Sequence, residues 1–91
     1  MAADHTNETL LVFPCDFPIK IMGKNEPDFA DNMLSIVKKH APDFDAMTME
    51  KRPSSAKKYL SITCTIRATS KQQLDDLYRD LTAHAQVLMA L

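Results

Sequence analysis

Between Lys58 and Ala68 the chain alternates without a break: Leu60, Ile62, Cys64 and Ile66 interleave with Tyr59, Ser61, Thr63, Thr65 and Arg67. A period of two places one set of side chains in a core and leaves the other set in water. That run therefore fixes a strand in a sheet with one covered face and one wet face, and the rest of the chain must supply the cover. Two segments do so. Phe29, Met33, Ile36 and Val37 recur at helical spacing, as do Leu74, Leu77, Tyr78 and Leu81. Each set makes a 3.6-residue apolar stripe.

The punctuation between these segments gives their order. Phe17 to Met22 alternates Phe17, Ile19 and Ile21 against Pro18, Lys20 and Met22, and Gly23 closes this first strand. Pro27 suits a first helical turn. Asp28 and Asp31 lie near the positive end of the helix that follows, and Lys38, Lys39 and His40 near its negative end. Ala41-Pro42 stops it, because a residue before proline resists the α conformation. Asp45 to Arg52, with Met47 and Met49 alternating, reads as an edge strand charged at both ends. Ser70 with Gln73 forms a capping-box signature for the second helix, and Asp75 with Arg79 a pair on its wet side. Gln86 to Leu91 reads as a last strand with Val87, Met89 and Leu91 facing inward.

The order strand, helix, strand, strand, helix, strand is that of the α+β ferredoxin-like sandwich. A strand–helix–strand unit occurs twice, near residues 17–50 and 59–91. Right-handed crossovers then give an antiparallel sheet with the first and third strands central and both helices on one face. Residues 1–9 are polar and aperiodic and read as a disordered tail, leaving 10–91 as a single domain. Leu10, Leu11, Val12 and Phe13, with Pro14 and Pro18 bracketing Cys15 to Phe17, read as a stiff lead-in that cannot enter a central strand. Its apolar residues lie against the domain edge or meet a partner.

Ninety-one residues suffice for one domain, which needs a well-filled core or a partner. The formal charge of −1 argues against a protein drawn wholesale to nucleic acid or anionic membrane. No apolar run reaches the roughly 18 residues of a spanning helix, and nothing near the N-terminus resembles a secretory signal. A cytoplasmic protein without membrane contact is the expectation. Cys15 and Cys64 form no CxxC or Cys/His cluster, so neither a metal nor a disulfide framework is expected. Cys15 reads as a loop residue and Cys64 as a small apolar core residue.

Three constellations could carry function. Gly23, Lys24 and Asn25 join a strand to a helix N-terminus, where free amides suit a small anion or carboxylate; a single glycine favours an ordinary turn. Lys51, Arg52, Lys57 and Lys58 cluster at the hairpin and could contact an anion or an acidic partner, although a charged edge also prevents stray strand pairing. The wet sheet face would show Lys20, Met22, Thr48, Ser61, Thr63, Thr65 and Arg67. RNA-binding domains of this topology stack bases on aromatics at such positions; Thr and Ser stand there instead, with Tyr59 near one end. His5, His40 and His84 belong to no nucleophile motif, and no carboxylate pair stands out, so no enzyme and no cofactor are expected. His40 is explained by the helix dipole.

Phe13-Pro14, Met22-Gly23, Ile36-Val37, His40-Ala41-Pro42, Pro53-Ser54-Ser55, Tyr59, Ser61-Ile62-Thr63, Ile66-Arg67-Ala68-Thr69, Leu77-Tyr78 and Val87 to Leu91 follow one another in an order that resembles the YbeD-like family of small bacterial proteins. Where members commonly have a hairpin glycine, this chain runs Ser55-Ala56-Lys57-Lys58. The resemblance implies a ferredoxin-like fold related in shape to ACT domains, which bind small effectors and regulate enzymes, and it implies no catalytic residue. The expected function is a regulatory or adaptor domain that forms a homodimer through edge strands and binds a partner protein or a small-molecule effector. The alternative is a nucleic-acid-binding module using the open face and basic hairpin.

Overall fold

The computed structural model describes residues 12–91, so the reading of residues 1–9, and of Leu10 and Leu11, lies outside the described residues. The elements are β1 (Cys15–Lys24), α1 (Phe29–His40), β2 (Glu50–Pro53), β3 (Tyr59–Ala68), α2 (Lys71–Ala83) and β4 (Val87–Ala90), with a turn of 3-10 helix at Ala46–Thr48. The strands form one sheet in the order β2-β3-β1-β4, every neighbouring pair antiparallel. This is the ferredoxin-like sandwich. The central strands β1 and β3 pair along their full length, from Cys15 opposite Ala68 to Lys24 opposite Tyr59.

Alternation in the central strands supplies the inner face. Ile19 and Ile21 of β1 meet Leu60, Ile62, Cys64 and Ile66 of β3 beneath Phe29, Met33 and Val37 of α1 and Leu74, Leu77 and Leu81 of α2, all of them buried. Ile36 and Tyr78 flank this core half-buried. A side-chain cap fixes where α2 begins. Ser70 Oγ accepts from the Gln73 amide at 3.1 Å, and Gln73 Oε1 accepts from the Thr69 amide at 2.7 Å. The reciprocal bond thus falls one residue before the cap. α1 closes with the Ala41 amide donating to the Val37 carbonyl at 2.8 Å, just ahead of Pro42.

The structure corrects the sequence reading at four places. First, β1 begins at Cys15, so Cys15 is a half-buried strand residue packed against the core, and Pro18 lies inside a central strand opposite Thr65. The Lys20 amide points towards β4, donating to Leu91 at 3.0 Å. Pro18, two residues earlier, turns its donorless nitrogen to the same side, beyond the last β4 pairing, where no ladder bond is lost. At its other end β1 runs past Gly23 to Lys24.

Second, β2 is shorter and later than Asp45–Arg52. Asp45 Oδ1 accepts from the Met47 amide at 2.9 Å, and its carbonyl accepts from Thr48 Oγ1 at 2.7 Å. Local aspartate turn chemistry thereby takes Ala46–Thr48 out of the sheet. Thr48 is consequently absent from the open face, and Met47 stands 91% exposed.

Third, β4 does not keep one parity. Met22 opposes Met89 while Gly23 opposes Val87, which makes Leu88 the extra residue of a β-bulge. Past the bulge Ala90 turns to the core, and Met89 and Leu91, expected inside, lie on the open face.

Fourth, Asp75 pairs with Lys71 at 3.1 Å and Arg79 with Asp76 at 3.2 Å, in place of an Asp75–Arg79 pair. His40 stands in the last turn of α1, as expected, and gains a side-chain partner across the helices, described below.

Candidate functional site

With both helices on one side, the outward residues of the sheet form a continuous open face whose rows follow from the register. Arg52, Ser61, Met22 and Met89 make one row; Glu50, Thr63, Lys20 and Leu91 make the next. Thr65 with Pro18, and Arg67 with Asp16, complete the face. Its far end is tied off by Arg67 Nη1 and Asp16 Oδ1 at 3.3 Å. At its middle lies a trough of about 490 Å³ lined by Lys20, Glu50, Lys51, Arg52, Ser61 and Thr63. A smaller notch of about 250 Å³, lined by Met22, Arg52, Pro53, Ser54, Tyr59 and Ser61, continues from it. Arg52 and Ser61 belong to both.

The trough gathers cations that have no carboxylate partner, as Lys24, Lys38, Lys57 and Lys58 also have none elsewhere among the described residues. Lys39, Arg67, Lys71 and Arg79 each lie against a carboxylate. Among the described residues, Lys20, Lys51 and Arg52 form no ion pair, nor does Glu50 beside them. Lys20 and Arg52 on the face, with Lys51 at the β2 edge opposite Ile62, outnumber Glu50 and leave a local positive field on a chain whose formal charge is −1.

The residues singled out at the first strand end occupy a different place. Gly23 is buried: a Cβ there would stand 2.3 Å from the Gln86 carbonyl oxygen and 2.6 Å from the Phe29 ring. The Asn25 amide donates to the Lys58 carbonyl at 3.0 Å and Asn25 Nδ2 to the Lys57 carbonyl at 3.1 Å. The Glu26 and Phe29 amides serve the Lys24 and Glu26 carbonyls. Gln86 Nε2 bridges the Glu26 and Asp28 carboxylates at 2.9 and 3.0 Å. The start of α1 is thus a turn occupied by the chain's own carboxylates and hydrogen bonds. Gly23, Lys24 and Asn25 come together with Lys57 and Lys58, whereas Arg52 belongs to the trough. Lys57, at φ 59°, takes the left-handed conformation that glycine adopts most readily. Ser54 Oγ holds that hairpin by accepting from the Lys58 and Tyr59 amides at 3.2 and 3.1 Å.

Met89 and Leu91 are open-face residues that sequence reasoning missed. The β4 bulge puts them there, and it leaves no periodic signal.

On the helical side, His40 Nε2 meets Asp80 Oδ2 at 2.5 Å, with Lys39 Nζ at 3.4 Å from the same oxygen. Gln73 Nε2 donates to the His40 carbonyl at 2.9 Å. The hydrogen bond from His40, reinforced by Lys39, holds the Asp80 carboxyl below its ordinary range. This is a clamp between α1 and α2. Burial pushes the Cys64 thiol up to about 11, which suits a packing residue rather than a nucleophile. Among the described residues no three of His, Cys, Asp and Glu gather into a cation site, and no helix is long and apolar enough to cross a membrane.

A family model described as "Protein of unknown function (DUF493)" matches residues 8–91. The chain belongs to that family. These are the YbeD-like small bacterial proteins that the sequence resembles. The UPF0250 protein NE1487 of Nitrosomonas europaea is 57% identical over 86 residues, covering 94% of this chain and 99% of the relative. A UPF0250 protein of Paraburkholderia phytofirmans is 52% identical over 85 residues, covering 93% and 96%. Among solved structures, the solution structure of HP0495 from H. pylori superposes with a TM-score of 0.72 at 11% identity, over 89% of this chain and 85% of that one. At that identity the likeness shows the fold alone. The sandwich is therefore shared between this DUF493 chain and a chain of very different sequence.

Proposed function

We propose that this DUF493 domain is a non-enzymatic regulatory or adaptor module, ACT-like in shape, that acts in the cytoplasm and binds a partner protein or a small metabolite on its open sheet face. The observation that carries this reading is the contrast between the two faces. One is sealed by two helices over an apolar core. The other keeps unpaired cations around hydroxyl-bearing side chains, beside exposed Met22 and Tyr59. Cations that the fold has not neutralised are free to recognise an external anionic group. The sheet edges support a homodimer through β4: Val87–Ala90 carries no charge, whereas Glu50, Lys51 and Arg52 guard β2 against strand addition.

Native mass spectrometry of the protein isolated gently from bacterial cytosol tests the proposal. The wild-type chain should carry an additional bound mass that a Lys20→Glu/Arg52→Glu variant lacks. Retention of the same species by that folded variant would overturn the reading. The nucleic-acid alternative draws support from Tyr59, 38% exposed and lining the notch with Arg52. It requires the bound species to be nucleic acid, lost steeply as salt rises and lost on reversing Lys57 and Lys58.

A further inference from the structure

We infer that the trough and notch together form one site for a small molecule bearing a single anionic group, phosphate or carboxylate, attached to an apolar or aromatic group. The inference rests on the proposed open-face reading and specifies what that face takes.

The anionic end is set by the strand register. Ser61 and Thr63 lie on β3 between Arg52 on β2 and Lys20 on β1, with Arg52 opposite Ser61 and Lys20 opposite Thr63. Two strand spacings across and two residues along put the Arg52 and Lys20 backbones roughly 12 Å apart. Both side chains are long enough to converge above the two hydroxyls. A guanidinium and an ammonium over a floor of O–H donors match the oxygens of a carboxylate or phosphate. Glu50, opposite Thr63 on the same row as Lys20, offsets part of that field. The arrangement therefore favours one anionic group over a polyanion such as a nucleic-acid backbone.

The apolar end follows from continuity. The notch shares Arg52 and Ser61 with the trough, and Met22, Pro53 and Tyr59 form its apolar wall. A molecule whose anion sits against Arg52 must extend its remainder along this wall or into solvent. The trough, at about 490 Å³, is within the range of small-molecule sites, and the notch adds about 250 Å³. Such sites combine an apolar surface with a few polar groups that fix orientation.

Two-dimensional amide NMR of the full chain, titrated with phenyl phosphate, 3-phenylpropionate, inorganic phosphate and benzyl alcohol, tests the site. Saturable shifts should appear at Lys20, Met22, Arg52, Ser61 and Thr63 with phenyl phosphate or 3-phenylpropionate, and the tighter of the two identifies the head group. Inorganic phosphate and benzyl alcohol should each bind at least about tenfold more weakly, because each fills one end only. Arg52→Glu should weaken both aromatic anions by at least about tenfold. Tyr59→Ala should weaken them and leave inorganic phosphate unchanged, while Lys38→Glu on α1 should alter nothing. Absence of saturable shifts, shifts scattered away from these residues, or wild-type affinity in Arg52→Glu would overturn the inference. If the cytosol-isolated protein then still carried a partner lost in Lys20→Glu/Arg52→Glu, only the ligand class would fall and the open-face reading would stand.

Discussion

His40 shows how a residue can be placed correctly by sequence and still be explained incompletely. Its position at the end of α1 follows from the helix pattern, and a cation there suits the helix dipole. Its partner Asp80 lies forty residues on, and only the packing of α2 beside α1 brings the two together. No periodicity announces such a contact, because it depends on the rotation of one helix about its axis relative to the other. The clamp has a pH signature. Asp80 is held below the ordinary Asp value of 3.8, chiefly by the His40 hydrogen bond. A carboxylate depressed in the folded state contributes stability above the unfolded value, and loses it as pH falls through the folded value. Asp80→Asn should therefore lower Tm at neutral pH, with the two melting curves converging as the pH drops below the carboxylate range. An equal Tm difference at all pH values would assign the loss to packing.

Among the elements, those with strong period were legible and those set by competition were not. β3, α1 and α2 follow directly from their apolar spacing, since burying each stripe is the dominant gain. β2 lost its first half to the Asp45 turn, a local hydrogen-bonding choice that alternation at Met47 and Met49 conceals. β4 changed parity because of Leu88, and the bulge sits where β1 passes Gly23. That glycine is required for space, since no glycine here takes positive φ. Phe29 of α1 and the Gln86 carbonyl close over its Cα. Replacing glycine with alanine in a strand ordinarily gains up to about 1 kcal/mol. Here a Cβ 2.3 Å from a backbone oxygen forces β1 and β4 apart. Steric cost should prevail, and Gly23→Ala should destabilise by roughly 1–3 kcal/mol in urea denaturation. Unchanged or increased stability would show that the β1–β4 junction yields easily.

For the molecule as a whole, the fold was readable because the pattern of two helical stripes and alternating strands admits few arrangements. The candidate site was readable only in part. Lys20, Met22, Ser61 and Thr63 follow from strand parity, and Arg52 was noticed for its charge. Their convergence into a trough depends on the β2 register, which sequence does not reveal. Everything functional proposed for this DUF493 chain depends on one sheet face being covered and the other bare. Thiol labelling reads both faces from adjacent residues. In a Cys15→Ser/Thr65→Cys protein, the introduced thiol lies on the open face and the native Cys64 beside it lies in the core. The residue 65 thiol should react with a small disulfide reagent at the rate of a free cysteine, and Cys64 only as the protein unfolds. Prompt labelling of Cys64, or protection of the thiol at position 65, would contradict the account.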